Sequence, residues 1–309
     1  MTHPGPHPAR AQALVPPLLM LGQVVSLQTG AAVAKGAYAA VSPTTLAGVR
    51  LGFAAVCMCL LVRPRLRRVT RAQWATACAL GLTFALMNLA YFQALNHLPI
   101  GVAATVELLG PLMLSASLSR SPSHLAAAVL ALVGVVLLAA PGAALPAVGI
   151  ALGCTAAVCR AVYVVLNRRL GSLFPDFSGL AIALACGACV LVPVSVVRGG
   201  DTVAAHPWVL LPGCAVALLS AVIPYSLDMT LLRRIDTRAF GVLLALGPAV
   251  GALIGLLALG ETLTSRQLIA MALVAAAGAW TVRRQSGGSR EAEDEPEANS
   301  SKQPLDRAD

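Results

Sequence analysis

The chain has 309 residues, of which 58% are hydrophobic and only 11% charged, with a formal net charge of +9. Soluble domains carry about 25% charged residues, so the apolar excess excludes a large water-soluble core and describes an integral membrane protein. The positive balance does not describe a nucleic-acid binder, because lysine is nearly absent and the arginines fall in short breaks between apolar runs, the spacing of cytoplasmic loops.

Residues 1–13 form a Pro/His-rich tail carrying Arg10, and the apolar run after it lacks a cleavage site, so a retained first helix is expected. A spanning helix needs about 20 mainly apolar residues. Spans are predicted at 14–34, 44–62, 73–95, 99–119 and 124–141, then at 146–166, 177–197, 208–231, 239–259 and 265–282. Breaks fall at Ser42-Pro43, Pro141-Gly142 and Gly199-Gly200. With the N-terminus inside, the inner loops hold Arg63, Arg65, Arg67, Arg68 and Arg71, then Arg120, Arg168, Arg169, Arg233, Arg234 and Arg238, with Arg283 and Arg284 after the last span. The outer loops hold only Lys35, Arg198 and Arg266. This asymmetry predicts a multi-pass protein with both ends cytoplasmic. Residues 286–309 carry seven acids against three bases and almost nothing apolar, and are expected to be a disordered cytoplasmic tail.

One stretch organises the chain: Asn88 to Pro111, NLAYFQALNHLPIGVAATVELLGP, two apolar runs joined at Asn96–Pro99 with Glu107 inside the second. Tyr225 to Pro248, YSLDMTLLRRIDTRAFGVLLALGP, repeats it at an offset of 137 (248 minus 111), matching Gly110 with Gly247 and Pro111 with Pro248. Leu244 stands where the first copy has Glu107. Five spans per half is an odd number, so the second half (146–284) enters the membrane opposite to the first (14–141). The expected fold is all-α, ten transmembrane helices as two inverted repeats, a plan associated with alternating-access transporters.

All eight cysteines lie in apolar runs, and the Cys186/Cys189 pair reads as small buried hydrophobes. No Cys/His cluster has zinc spacing and no ATP-binding motif is present, so no metal or cofactor is expected.

Polar groups within a bilayer are costly, so each intramembrane ionisable residue is a candidate site. At about 1.5 Å per residue, Glu107 lies roughly 12 Å below the outer boundary, and Asn88, Arg50 and Gln28 roughly 9 Å below it. Four polar side chains from four helices of one half are thus expected in one layer. Pro111 has no N–H, which frees the carbonyl of Glu107 in the same turn as its carboxylate. A substrate ammonium or a proton suits such a pair; proline kinks also serve packing alone. Arg50 has three readings: pairing with Glu107, binding a substrate carboxylate, or snorkelling to the interface. Asn88 and Gln28 suit either a substrate or interhelical hydrogen bonds. Arg160 is placed about 9 Å from the inner boundary at the same rise per residue, as an inner gate or an anion binder. Asp228 reads as a boundary ion pair with Arg233 and Arg234. Tyr91, Tyr163 and Tyr225 read as pore hydroxyls or interface anchors.

At these residues a resemblance emerges. Ser26–Lys35 (SLQTGAAVAK), Val49–Leu51, Met87–Asn88, Pro99–Ala103 (PIGVA), Glu107–Pro111 (ELLGP), Pro224–Leu227 (PYSL) and Leu259–Thr264 (LGETLT) resemble the drug/metabolite transporter superfamily with two EamA-type repeats. The likeness covers residues 14–284, and Gln28, Asn88 and Glu107 together point to its branch of threonine/homoserine-type amino-acid exporters. Two departures stand out: Arg160 where the pattern C-W-A-x-Y has tryptophan, and Asp228 where glutamate is expected. The resemblance implies proton-coupled efflux of small neutral amino acids by antiport across the cell membrane. Partners are then an amino acid, protons and the lipid bilayer, with the oligomeric state open. Efflux of cationic drugs, a membrane enzyme and a scaffold without transport are the other readings. The enzyme reading lacks a pair of acids or a nucleophile–base pair at membrane depth.

Overall fold

The structure, a computed structural model, describes residues 8–118, 122–139, 145–224 and 246–280. It is all-helical, with no strand among the described residues. In chain order come α1 (Pro8–Gly36), α2 (Pro43–Val62), α3 (Arg71–His97), α4 (Ile100–Leu118), α5 (Pro122–Ala139), α6 (Ala147–Leu173) and α7 (Ser178–Ala205). Then follow α8 (Leu210–Ala217), α9 (Gly247–Leu259) and α10 (265–280). Among the described residues, α2, α3, α4, α6 and α7 are long and apolar enough to cross a membrane.

Helix starts are set by local chemistry. Ser42 caps α2, its Oγ accepting the Thr45 N–H at 3.1 Å, with Pro43 at the first helical position where its missing N–H costs nothing. Thr70 and Gln73 form a reciprocal capping box on α3. Thr264 and Gln267 satisfy each other's backbone N–H in the same way at the start of α10. The chain leaves α2 through Arg63 in the left-handed region, at φ 49°.

Three expectations about spans are corrected. The sixth helix does not end at 166 but runs on to Leu173. The seventh does not end at 197: Gly199 bends it (φ −161°, ψ 18°), and helix resumes to Ala205, so Gly199-Gly200 is a kink rather than a loop. The eighth run is not one regular helix. A 3-10 turn at Pro207–Val209 leads into α8, which widens into a π turn at Leu218–Val222.

The described packing runs chiefly between the two halves. α2 lies along α7, α3 along α6 and α7, and α4 along α6 and α9. One buried cluster joins Leu51, Phe84 and Leu184, and the other joins Val106, Leu138 and Val274. Small residues let the backbones approach, as membrane interfaces require where lipid supplies no hydrophobic drive between helices. The closest approach is at Gly110, where an added Cβ would strike the Ala157 carbonyl oxygen of α6. Gly110→Ala is therefore expected to destabilise the protein by about 1–3 kcal/mol through overpacking. Gly22→Ala, at a glycine with nothing within 4 Å, should be neutral or slightly stabilising, because alanine is the better helix former. Thermal unfolding in detergent compares the two.

Candidate functional site

Gly110 fixes the register that builds the site. Leu98 packs by Gly149, Val106 by Gly153 and Gly110 by Ala157, so α4 and α6 run in the same direction. Glu107 lies one turn before the Gly110–Ala157 contact and Arg160 one turn after it. Helical side chains lean back toward the N-terminus, and arginine is long enough to span the offset. Arg160 Nη2 meets Glu107 Oε1 at 3.0 Å, with the two side chains 27% and 11% exposed. The Arg160 guanidinium also lies over the Tyr163 ring, 5.9 Å from its centroid, and Tyr163 packs on Phe84 with ring centroids 5.4 Å apart.

Because α6 spans Ala147–Leu173, Arg160 stands at the middle of its helix. One expectation is corrected. Arg160, not Arg50, is the ion-pair partner of Glu107. Tyr163 sits inside the bundle with the pair.

Arg50 belongs to a second cluster. It is 6% exposed and does not snorkel to an interface. Its Nη1 donates to Asn88 Oδ1, its Nε to Ser220 Oγ at 2.6 Å and its Nη2 to the Ser220 carbonyl at 2.7 Å. Asn88 Nδ2 in turn donates to the Phe84 carbonyl at 2.7 Å. The acceptor Ser220 lies in the π turn, which breaks the regular i→i−4 ladder. Ser26 Oγ donates to the adjacent Leu219 carbonyl at 2.6 Å. Two residues of the first half thus hold the irregular turn of the second. Ser26 and Ser220 were missed in the sequence, where a serine in an apolar run carries little signal and a π turn carries none.

The expected single layer of four is therefore divided. Arg50 and Asn88 touch, Glu107 turns to Arg160, and Gln28 Nε2 donates to the Gly247 carbonyl at 2.9 Å. Gln28 thus makes an interhelical bond, to the Gly-Pro pair of the second copy. Pro111 sits inside α4 whereas Gly247 and Pro248 open α9. Tyr91 packs against both buried apolar clusters. Tyr225 and Asp228 lie outside the described residues, as do Arg233, Arg234 and Leu244.

At the end of the bundle where α4 begins, a third polar group was missed. Lys35 Nζ meets Glu261 Oε1 at 2.6 Å and donates to the Leu98 carbonyl at 2.6 Å. The Ile100 N–H, an orphan donor of the first turn of α4, donates to Glu261 Oε2 at 2.9 Å. Gly260, left-handed at φ +65°, turns the chain back so that the Glu261 N–H reaches the Gly255 carbonyl. Nearby, the Tyr38 hydroxyl donates to the Phe92 carbonyl at 2.9 Å. Burial, with Tyr91 adding to it, pushes that hydroxyl well above the usual tyrosine range.

Chemically, the centre of the bundle holds a carboxylate, two guanidiniums and phenol rings, all on apolar helices. Such groups can bind a charged solute or hold apolar helices to one another.

Comparison with known proteins is consistent with that chemistry. The EamA-like transporter family model matches residues 147–283. The threonine/homoserine exporter RhtA of Salmonella typhimurium is 33% identical over 278 residues, 88% of this chain and 93% of that protein. The threonine/homoserine exporter RhtA of Escherichia coli is 32% identical over 279 residues, 88% of this chain and 94% of that protein. A solved crystal structure with 21% identity superposes at a TM-score of 0.56, covering 86% of this chain and 97% of the other, which marks a shared fold.

Proposed function

Because this chain belongs to the EamA-like transporter family, it is a multi-pass membrane transporter, and we propose that it exports small amino acids of the threonine/homoserine kind across the cell membrane. The observation that carries the reading is the meeting of opposite charges, Glu107 and Arg160, at 3.0 Å inside an apolar bundle. A free amino acid is a zwitterion and offers the complement of both. The relatives named as threonine/homoserine exporters, aligned over 88% of this chain, support the same substrate class.

The transport is secondary active. Ten helices in two inverted repeats, 14–141 and 146–284, alternate access to a central site with both termini cytoplasmic, and Glu107 exchanges a proton for substrate. Arg50, Asn88 and Tyr91 complete the site, with Gln28 beside it, Tyr163 holding the Arg160 guanidinium and Tyr225 as a further candidate hydroxyl donor. Gly110-Pro111 and Gly247-Pro248 are the breaks around which the helices bend. The rival transport reading, efflux of cationic drugs, is disfavoured by Arg160, which already neutralises the acid that would attract them.

The test is export from proteoliposomes loaded with radiolabelled threonine or homoserine under an imposed pH gradient, against a panel of cationic dyes. Export that a protonophore abolishes is expected. Export indifferent to the protonophore would exclude proton antiport, and export of dyes alone would exclude the amino-acid reading.

A further inference from the structure

Among the described residues, Arg160 pairs with Glu107 and also lies over an aromatic ring. The Glu107 carboxylate is at 3.0 Å and the face of Tyr163 at 5.9 Å. A guanidinium over a phenol ring is held by the ring quadrupole, so Arg160 can leave the carboxylate without losing all support. No helix movement is needed for this, because one position of the guanidinium already touches both groups. Arg50 differs: its guanidinium is engaged by Asn88 and by both oxygens of Ser220.

An arriving cation must take Glu107 from Arg160. That leaves a guanidinium without its carboxylate in an apolar bundle, which is strongly unfavourable. A zwitterion avoids the penalty. Its ammonium takes the carboxylate of Glu107, and its own carboxylate takes the planar fork of Arg160, whose geometry suits carboxylates. One ion pair becomes two, and neither buried charge is stranded.

We propose that Arg160 is the specificity-determining residue of this site: its guanidinium holds the place of the substrate ammonium on Glu107 and admits only solutes that bring a carboxylate of their own. This rests on the amino-acid reading above and names what selects the zwitterion. Cations without a carboxylate are excluded by the Arg160 they would displace.

The test compares two probes of nearly the same shape, threonine and its reduced amino alcohol, which keeps the ammonium and carries a neutral hydroxymethyl group in place of the carboxylate. Each is assayed as an inhibitor of radiolabelled threonine export in proteoliposomes. Wild-type protein should favour threonine by at least about tenfold, since one charged hydrogen bond left unmade is worth a decade or more. Arg160→Gln should lower that ratio to within about threefold of unity, because the group that demands a carboxylate is gone. Arg160→Lys keeps the charge without the fork and should give an intermediate ratio. If Arg160 merely braces α4 against α6, its loss weakens both probes alike and leaves the ratio unchanged; that outcome in either variant overturns the proposal. Should Arg160→Gln fail to insert, Arg160→Lys alone decides on the same ratio. A wild-type protein that exports no α-amino acid overturns the amino-acid reading and this proposal together, whereas normal export with an unaltered ratio in the variants overturns this proposal only.

Discussion

Glu107→Gln is expected to insert in the membrane and to lose threonine export by about ten- to a hundredfold. The substitution keeps the size of the side chain and removes its charge. Hydrogen bonds to charged groups contribute about 1.5–3 kcal/mol, and each 1.4 kcal/mol is about tenfold. The variant also leaves Arg160 beside a neutral amide, which strands a partly buried charge at a cost of about 3–5 kcal/mol. Lost transport could therefore reflect lost folding, and a second variant separates the two. Glu107→Gln combined with Arg160→Gln removes both charges, so thermal stability in detergent should recover while threonine export should not. Glu107→Asp, which still titrates from a shorter stem, should retain part of the activity. Normal export by Glu107→Gln, with its pH dependence intact, would reduce Glu107 to a packing residue and move the coupling site elsewhere.

That expectation began with the sequence, but the partner of Glu107 could not be read there. A lone carboxylate in an apolar run is visible because burying it is costly, and Glu107 was found for that reason. Arg50 and Asn88 were also legible as polar residues at a common depth, and they do touch. Arg160 is visible as a cation within an apolar run, but the predicted helix end at 166 falls short, since α6 continues through Arg168 and Arg169 to Leu173. Positive side chains mark where the chain meets the cytoplasmic surface, not where helical hydrogen bonding stops. The pairing with Glu107 further depends on the Gly110–Ala157 contact, a tertiary register that neither helix encodes alone.

The apolar runs themselves were legible because backbone within a bilayer must satisfy its own hydrogen bonds, and helices do so locally. Breaks within a run were not. Gly199 reads as a loop and proves to be a kink, since the helix can resume once the bend is made. The π turn at Leu218–Val222 follows from no residue in it; it is held by Ser26 and Arg50, nearly two hundred residues away in sequence. Lys35 and Glu261 were legible only as a loop cation and as part of an LGET string, because the Gly260 turn that folds Glu261 back has to be seen before its carboxylate has a direction.

That returned carboxylate carries the second large effect. Glu261 joins the end of α1, through Lys35, to the start of α4, through the Ile100 N–H. It therefore ties the second half of the chain to the first at the end read as outward-facing. Glu261→Gln keeps an oxygen for Ile100 but cannot pair with Lys35, and leaving the shielded Lys35 ammonium without its counter-charge costs about 1.5–3 kcal/mol. For a large domain each kcal/mol moves the unfolding midpoint by roughly 2–4 °C, so a fall of about 3–12 °C is expected in detergent. The pair is shielded, with side chains 22% and 13% exposed, so high salt should not reproduce the loss, as it would for a surface pair. The charge swap Lys35→Glu with Glu261→Lys is the sharper measurement. It restores the ion pair but not the cap, because a lysine ammonium cannot accept the Ile100 N–H. Recovery should therefore be partial, and threonine export should follow stability. Full recovery would assign the whole effect to the ion pair and none to the helix start. An unchanged midpoint in Glu261→Gln would make the contact incidental and leave the two halves tied at this end by apolar packing alone.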